Sequence, residues 1–209
     1  MATMQHSTPV PPLPSPEWEV KRILLASNSP RRRELLGMIL PQFEIADSRL
    51  AKETYPSDLA AESVPEYLSR QKAEAQIPYI SADEVVITAD TVVIADGKIL
   101  GKPADAEDAR KMLRMLSGST HKVVTGVTIA SPTGAIDSFS EHTSVTFAPV
   151  SDADIDEYIS LFKPFDKAGS YGIQEWIGAA FISRIDGCYY NVMGLPLHAL
   201  FAHLRKFMK

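Results

Sequence analysis

The chain has 209 residues, 45% of them apolar and 22% charged, with a net charge of −5 from 21 basic and 26 acidic side chains. That is enough for one large domain or two small ones; the acidic balance disfavours a protein that tracks a nucleic-acid backbone, and no apolar run reaches the ~18 residues of a membrane-spanning helix. The single cysteine, Cys188, rules out an intramolecular disulfide and fits a reducing compartment, so a cytoplasmic location is expected, and five scattered His argue against a structural zinc site.

The opening residues, MATMQHSTPVPPLPSPEW, lack the basic start and continuous apolar stretch of a secretory signal. Their prolines read as a disordered or extended tail, which sets residues 1–20 apart from a folded domain over 21–209. RILLAS reads as a short buried strand, and Ser29-Pro30 as the N-cap and first residue of a helix to about Ile39, packed through Leu35, Leu36 and Ile39. ADSRLAKETYPSD has no periodicity and reads as a loop. A second helix is expected from Leu59 to about Gln76, with Val64, Leu68 and Ala75 on one side. EVVITADTVVIADGKIL reads as a β-hairpin turning at Asp96-Gly97.

Helical spacing returns in DAEDARKMLRML, where Ala109, Met112, Leu113 and Leu116 recur on one face. HKVVTGVTIA and AIDSFSEHTSVTF read as strands around the turn Ser131-Pro132-Thr133-Gly134. Ser151 with Asp154 forms a capping box for a helix packed through Ile155, Tyr158, Ile159 and Phe162. KPFDKAGSYGIQEWIG is irregular, AAFISRI and CYYNV read as a strand pair around Asp186-Gly187, and a closing helix from Pro196 to about Phe207 buries Leu197, Leu200, Phe201 and Leu204. The pattern predicts one α/β domain with a mixed, largely antiparallel sheet and flanking helices, in two lobes.

Three consecutive arginines, Arg31, Arg32 and Arg33, occupy the first turn of the first helix, where a helix carries partial positive charge and favours acidic residues. The strand–Ser-Asn-Ser-Pro–helix context aims that turn outward from a strand end, where phosphate binds readily, and Arg adds bidentate bonds to phosphate oxygens. Neighbouring helix positions diverge by about 100°, so at least one of the three should face solvent; a plain solvated patch is the alternative. In ITADTVV, Asp90 falls inside an apolar strand, where a carboxylate must be paired, hydrogen-bonded or metal-bound. It is read as a metal ligand or general base, the alternative being a bond to a neighbouring loop. Thr91 should point to the opposite face unless strand twist brings both to one cleft.

Lys102 in ILGKP gains weight beside Arg31, Arg32 and Asp90, since phosphoryl chemistry needs cations around the phosphates and a carboxylate for the metal. Arg70 and Lys72 in SRQKAEA read first as the wet face of a helix. In DKAGSYGIQ, Gly169 and Gly172 permit a tight backbone near a ligand. The Gln174 amide matches the N3–H and carbonyl of uracil or thymine, or else ties the loop. His121 reads as a strand-end structural residue and Tyr189-Tyr190 as packing.

Taken in order, LASNSPRRRELL, QKAEA, ADTVV, GKP, LSGSTHKVVTGV, DKAGSYGIQ and YYNVMGLPL resemble the Maf family of nucleotide pyrophosphatases, from about Ile23 to the final helix. The resemblance implies a Maf/ITPase-like α/β fold with two lobes around a central cleft. It also implies hydrolysis of a nucleoside triphosphate to monophosphate and pyrophosphate with a divalent metal, Mg²⁺ or alternatively Mn²⁺. Ser29-Pro30-Arg31-Arg32 and Gly172-Ile173-Gln174 are similar to the branch acting on dTTP and UTP. Carried over by position, Asp90 is the catalytic proton acceptor and a metal ligand with Glu53. Arg32 and Lys102 are catalytic cations near the phosphates, joined by Lys72. Ser29, Arg31, Lys72, Thr91 and Gln174 bind substrate, with Arg31, Thr91 and Gln174 setting its choice. A homodimer is implied, with neither nucleic acid nor membrane as a partner. One departure is Glu175-Trp176-Ile177-Gly178, where many members continue with glycine; this bulkier segment could reshape the base pocket.

Charge suggests how such a site would work: cations offset the negative charge that builds on phosphate oxygens, and the metal polarises the attacking water. Three other readings stay open: the same chemistry on a purine or 7-methyl-GTP, a nucleotide-binding regulator of septum formation or cell division without useful turnover, and a nucleic-acid binder.

Overall fold

The computed structural model describes residues 21–50 and 52–207; the proline-rich segment expected to be a tail lies outside them. Strand β1 (Arg22–Leu25) leads through a Ser29 cap into helix α1 (Pro30–Gly37). After the two-residue strand β2 (Glu44–Ile45) comes helix α2 (Val64–Gln76), then the long strand β3 (Glu84–Ala95) and its short return β4 (Lys98–Leu100). Asp96 and Gly97 both take positive φ, as the hairpin turn between them requires. Helix α3 (Ala106–Leu116), strands β5 (Thr120–Ala130) and β6 (Ile136–Phe147) and helix α4 (Asp152–Phe162) follow where the periodicity predicts them. Asp105 and Ser151 cap α3 and α4 through their side chains.

One seven-stranded sheet runs β2-β1-β3-β5-β6-β7, with β4 also on β3. β1 pairs in parallel with β2 and β3, and every other pairing is antiparallel, so the sheet is mixed and mostly antiparallel. Strand β7 spans Ile182–Asp186 only. The expected strands AAFISRI and CYYNV are corrected: Ala179–Phe181 close the helix α5 (Trp176–Phe181), and Tyr189–Met193 form the helix α6 before the final helix α7 (Leu197–Phe207). Packing decides both. Gly178 lies so close under Ile173 that a Cβ would sit 2.1 Å from its carbonyl oxygen. Asn191 is fully buried, its amide donating to the Val123 carbonyl and the Thr143 hydroxyl. Gly194 then ends α6 in the left-handed conformation, ahead of Pro196.

β3 threads two cores on one face of the sheet. Val85, Ile87 and Ala89 join Leu35, Leu36 and Leu200 in the first. Val93 and Ala95 join Leu113, Ile155, Tyr158 and Ile177 in the second. Each fully buried leucine among these contributes roughly 2–3 kcal/mol of hydrophobic free energy. On the other face α2 lays Val64 and Leu68 against Val92, Ile94 and Val124. Ala73, rather than the expected Ala75, packs beside Val86. Phe162 is exposed, stacked on Tyr158 at 5.1 Å between centroids. α2 can lie this low because Gly126, the register partner of Asp90, has no side chain; a Cβ there would meet the Glu66 nitrogen at 2.2 Å. Between the two cores on β3 sit Asp90 and Thr91.

Candidate active site

The edge of β3 that faces β1 is only partly used among the described residues. β1 pairs with residues Glu84–Ile87 and β4 with Val93–Ala95, which leaves Thr88–Val92 without a described strand on that side. A cavity of about 580 Å³ opens over this gap. Its walls are the β1–α1 turn, the end of β4 with Gly101 and Lys102, and the loop from Asp166 to Gln174. All nine residues to which the family resemblance gave a site role line it: Ser29, Arg31, Arg32, Glu53, Lys72, Asp90, Thr91, Lys102 and Gln174; Arg33, Arg70 and Gly169 do not. Asp90 and Thr91 do point to opposite faces of β3. They reach one cavity because it wraps around a bare strand edge, not because the strand ends or twists there.

Of the three arginines, Arg33 is exposed, as helical geometry demanded. Arg32 turns inward and spends its donors on the protein. Its Nε donates to the Gly194 carbonyl at 2.8 Å, Nη1 to the Ala89 carbonyl at 2.9 Å, and Nη2 to the Thr91 hydroxyl at 2.9 Å. It thereby fills the strand gap on β3 and ties α1, β3 and the end of α6 together. Burial lowers its pKa from the ordinary guanidinium value, partly offset by Asp90. Ser29 caps α1 by accepting from the Arg32 backbone N–H at 3.5 Å. Arg31 points the other way and pairs with Asp166 at 2.7 Å.

On the α2 face, the Lys72 ammonium bridges two carboxylates, Asp90 Oδ1 at 2.6 Å and Glu53 Oε1 at 2.9 Å. Both ends of the Lys72–Asp90 pair are largely buried, at 12% and 14% side-chain exposure, whereas Glu53 is 53% exposed. Burial raises the Asp90 pKa above the ordinary carboxylate value, and the charge and hydrogen bond of Lys72 pull against it. The second oxygen of each carboxylate has no bonded partner among the described residues. Lys102 is exposed and has no ionic partner among them. Five cations, including Lys167, and three carboxylates, including Asp166, line the cavity, an excess of positive charge suited to a polyanion.

A family model described as Maf-like protein matches residues 22–207. The chain belongs to the Maf family. It is 51% identical over 188 residues to the dTTP/UTP pyrophosphatase of Phocaeicola vulgatus, covering 90% of this chain and 97% of that protein. It is 52% identical to the dTTP/UTP pyrophosphatase of Porphyromonas gingivalis, covering 89% and 94%, and 47% identical to that of Chlorobaculum tepidum, covering 88% and 94%. Among solved structures, the Staphylococcus aureus Ham1 protein aligns over 61% of this chain and 72% of its own, with a TM-score of 0.45 and 18% identity.

Four side chains of this Maf protein that the sequence did not mark as a site organise the Gln174 loop. Asp166 receives Arg31 and Lys167; Lys167 continues to Glu175 at 3.0 Å. Glu175 accepts from the Tyr158 hydroxyl, which itself accepts from the Gly172 N–H at 3.1 Å. Burial works to raise the Asp166 carboxyl, but the bonds from Lys167 and Arg31 outweigh it and hold the pKa down at about 2. Tyr158 reads as a plain core position in sequence; its hydroxyl was the available signal. His121 is structural as expected, its Nε2 bonded to the Tyr171 hydroxyl at 2.8 Å, and burial lowers its pKa to about 4. Trp176 does not line the cavity and packs edge-on against Phe181 at 5.6 Å. Tyr189 and Tyr190 pack edge-on against each other at 5.8 Å. No helix among the described residues is long and apolar enough to cross a membrane.

Proposed function

We propose that the protein hydrolyses dTTP and UTP to the nucleoside monophosphate and pyrophosphate, a housecleaning role in the nucleotide pool, as the names of its Maf relatives suggest. The observation that carries this reading is Asp90, a buried carboxylate with a free oxygen in a cavity otherwise dominated by cations. The α-phosphorus is attacked by water; the new P–O bond forms as the bond to the bridging oxygen of the β-phosphoryl group breaks. Asp90, made more basic by burial, accepts the proton of the attacking water. Lys102, which has no carboxylate partner among the described residues, and Arg31, whose partner Asp166 is exposed, take up the charge of the departing pyrophosphate. Lys72 keeps Asp90 oriented and ionised. Arg32, its donors bound to Ala89, Thr91 and Gly194, acts mainly by holding the cavity's shape.

A divalent ion of the Mg²⁺ class, replaceable by Mn²⁺, fits this donor set. Such an ion takes one or two carboxylates and completes its shell with phosphate oxygens and water. Asp90 and Glu53 converge on one ammonium and each keeps an oxygen to spare; no cluster of three or more His, Cys, Asp or Glu exists among the described residues that could hold a metal without substrate. Bound there, the ion would polarise water and neutralise phosphate charge. Gln174, exposed on the cavity wall, is the candidate for reading the nucleoside; Thr91 lines the same cavity with its hydroxyl already bonded to Arg32 and Thr125. A cytoplasmic homodimer completes the proposal.

Pyrophosphate release measured on dTTP, UTP, CTP and GTP with Mg²⁺ tests all of this together. Preference for dTTP and UTP is the expected result. A clear purine preference, or nucleotide binding without release, would overturn it.

A further inference from the structure

Where the family resemblance leads one to expect glycine after Gln174, this chain carries Glu175, and the structure shows its surroundings. Glu175 does not line the cavity. It stands behind the wall, 18% exposed, between the Lys167 ammonium at 3.0 Å and the Tyr158 hydroxyl. Tyr158 is fully buried and also accepts the Gly172 N–H. The Glu175 N–H donates to the Gly172 carbonyl at 3.0 Å, closing a turn around Ile173 and Gln174. Gly172 leaves room for the carboxylate, since a Cβ there would come within 2.7 Å of the Glu175 Cδ. Lys167, only 8% exposed, is in turn shared with Asp166. The Gln174 backbone is therefore pinned on both sides by one buried polar group.

We infer that Glu175, with Tyr158 and anchored by Lys167, is a positioning and specificity-determining unit that fixes the backbone from which the Gln174 amide meets the pyrimidine base, and that Glu175 and Tyr158 act without touching substrate. The inference rests on the reading of the cavity as a pyrimidine triphosphate site. A planar amide discriminates between bases only if its direction is fixed, and a loop held by one main-chain turn would let it swing. The buried ion pair supplies that rigidity. Burial also raises the Tyr158 hydroxyl far above its ordinary pKa, so it remains a donor to Glu175 at any working pH.

The test compares wild type with Glu175→Gln and Tyr158→Phe, reading kcat and KM for dTTP and GTP together with inhibition by inorganic tripolyphosphate, which has no base. In both variants the dTTP-to-GTP ratio of kcat/KM should fall by about tenfold or more, the scale of a lost charged hydrogen bond. The rise in KM for dTTP should be large, while tripolyphosphate inhibition should shift far less. Glu175→Asp, which keeps the charge, should recover part of the ratio. An unchanged ratio in either folded variant, or equal losses for dTTP and tripolyphosphate, would overturn the inference. Failure of wild type to prefer dTTP over GTP would instead sink the pyrimidine reading beneath it.

Discussion

Asp90 and Thr91 are neighbours on β3, yet they belong to two differently built halves of the cavity. On the α2 face, Asp90, Lys72 and Glu53 form a charged group with two carboxylate oxygens left over. On the α6 face, Thr91 sits in a finished network. It receives Arg32 at 2.9 Å and bonds the Thr125 hydroxyl at 3.0 Å, and Thr125 donates to the Asn191 carbonyl. One half has unspent bonding capacity aimed at open volume, the other has almost none. Unspent capacity marks where a ligand completes the structure; saturation marks scaffold.

Breaking the open half should cost the most activity. Asp90→Asn should lower kcat by about 10²–10⁴-fold, the range of a lost general base, in a pyrophosphate-release assay. Because the Asp90 pKa is raised in the fold, its stabilising contribution exists below the ordinary carboxylate value and is lost as pH rises through the raised one; at neutral pH its charge is a cost. The asparagine variant should therefore melt no lower than wild type at neutral pH, and a clear drop in Tm would make Asp90 a structural residue. The same shift places the acid limb of kcat/KM above the usual carboxylate range. Lys72→Met should push that limb to still higher pH, and an unmoved limb would show that another group titrates there.

The saturated half should respond through stability. Arg32→Met strands the Ala89 and Gly194 carbonyls and should cost about 2–4 kcal/mol in denaturant unfolding. Loss of activity without loss of stability would return Arg32 to direct phosphate contact. Gly126→Ala should cost about 1–3 kcal/mol through overpacking and should also disturb Lys72, since α2 must lift from β5. Smallest of all is Asp166→Asn. Asp166 is 56% exposed, so screening should keep the loss under about 1 kcal/mol at neutral pH. Its depressed pKa means this contribution is present above the ordinary value and fades as pH falls toward about 2.

Much of the site was legible because chemistry-bearing residues break local rules. Arginines in a helix's first turn and an aspartate within an apolar strand are locally costly, and each led to the cavity. α6 was misread because YYNV shows no helical period over so few residues, although Gly194 followed by Pro196 is a helix-stop signal. The Asp166–Lys167–Glu175–Tyr158 group was missed because its members are spread over α4 and a loop, and no spacing rule links them. The bonds of Arg32 to Ala89, Thr91 and Gly194 were not legible, because an arginine's type announces its charge and not which acceptors it finds.

The sequence by itself determined the elements with strong periods, the caps, the hairpin turn and the family, since these depend on neighbours within a few residues. Only the tertiary structure decided that β1 and β4 leave one edge of five β3 residues without a strand among the described residues, while β5 pairs their other edge. It also decided that Arg32 closes that edge while Arg31 opens toward Asp166, and that Glu175 works from behind the wall. Those outcomes depend on distances between segments far apart in the chain, and a side chain's role there is set by which partners already use its bonds.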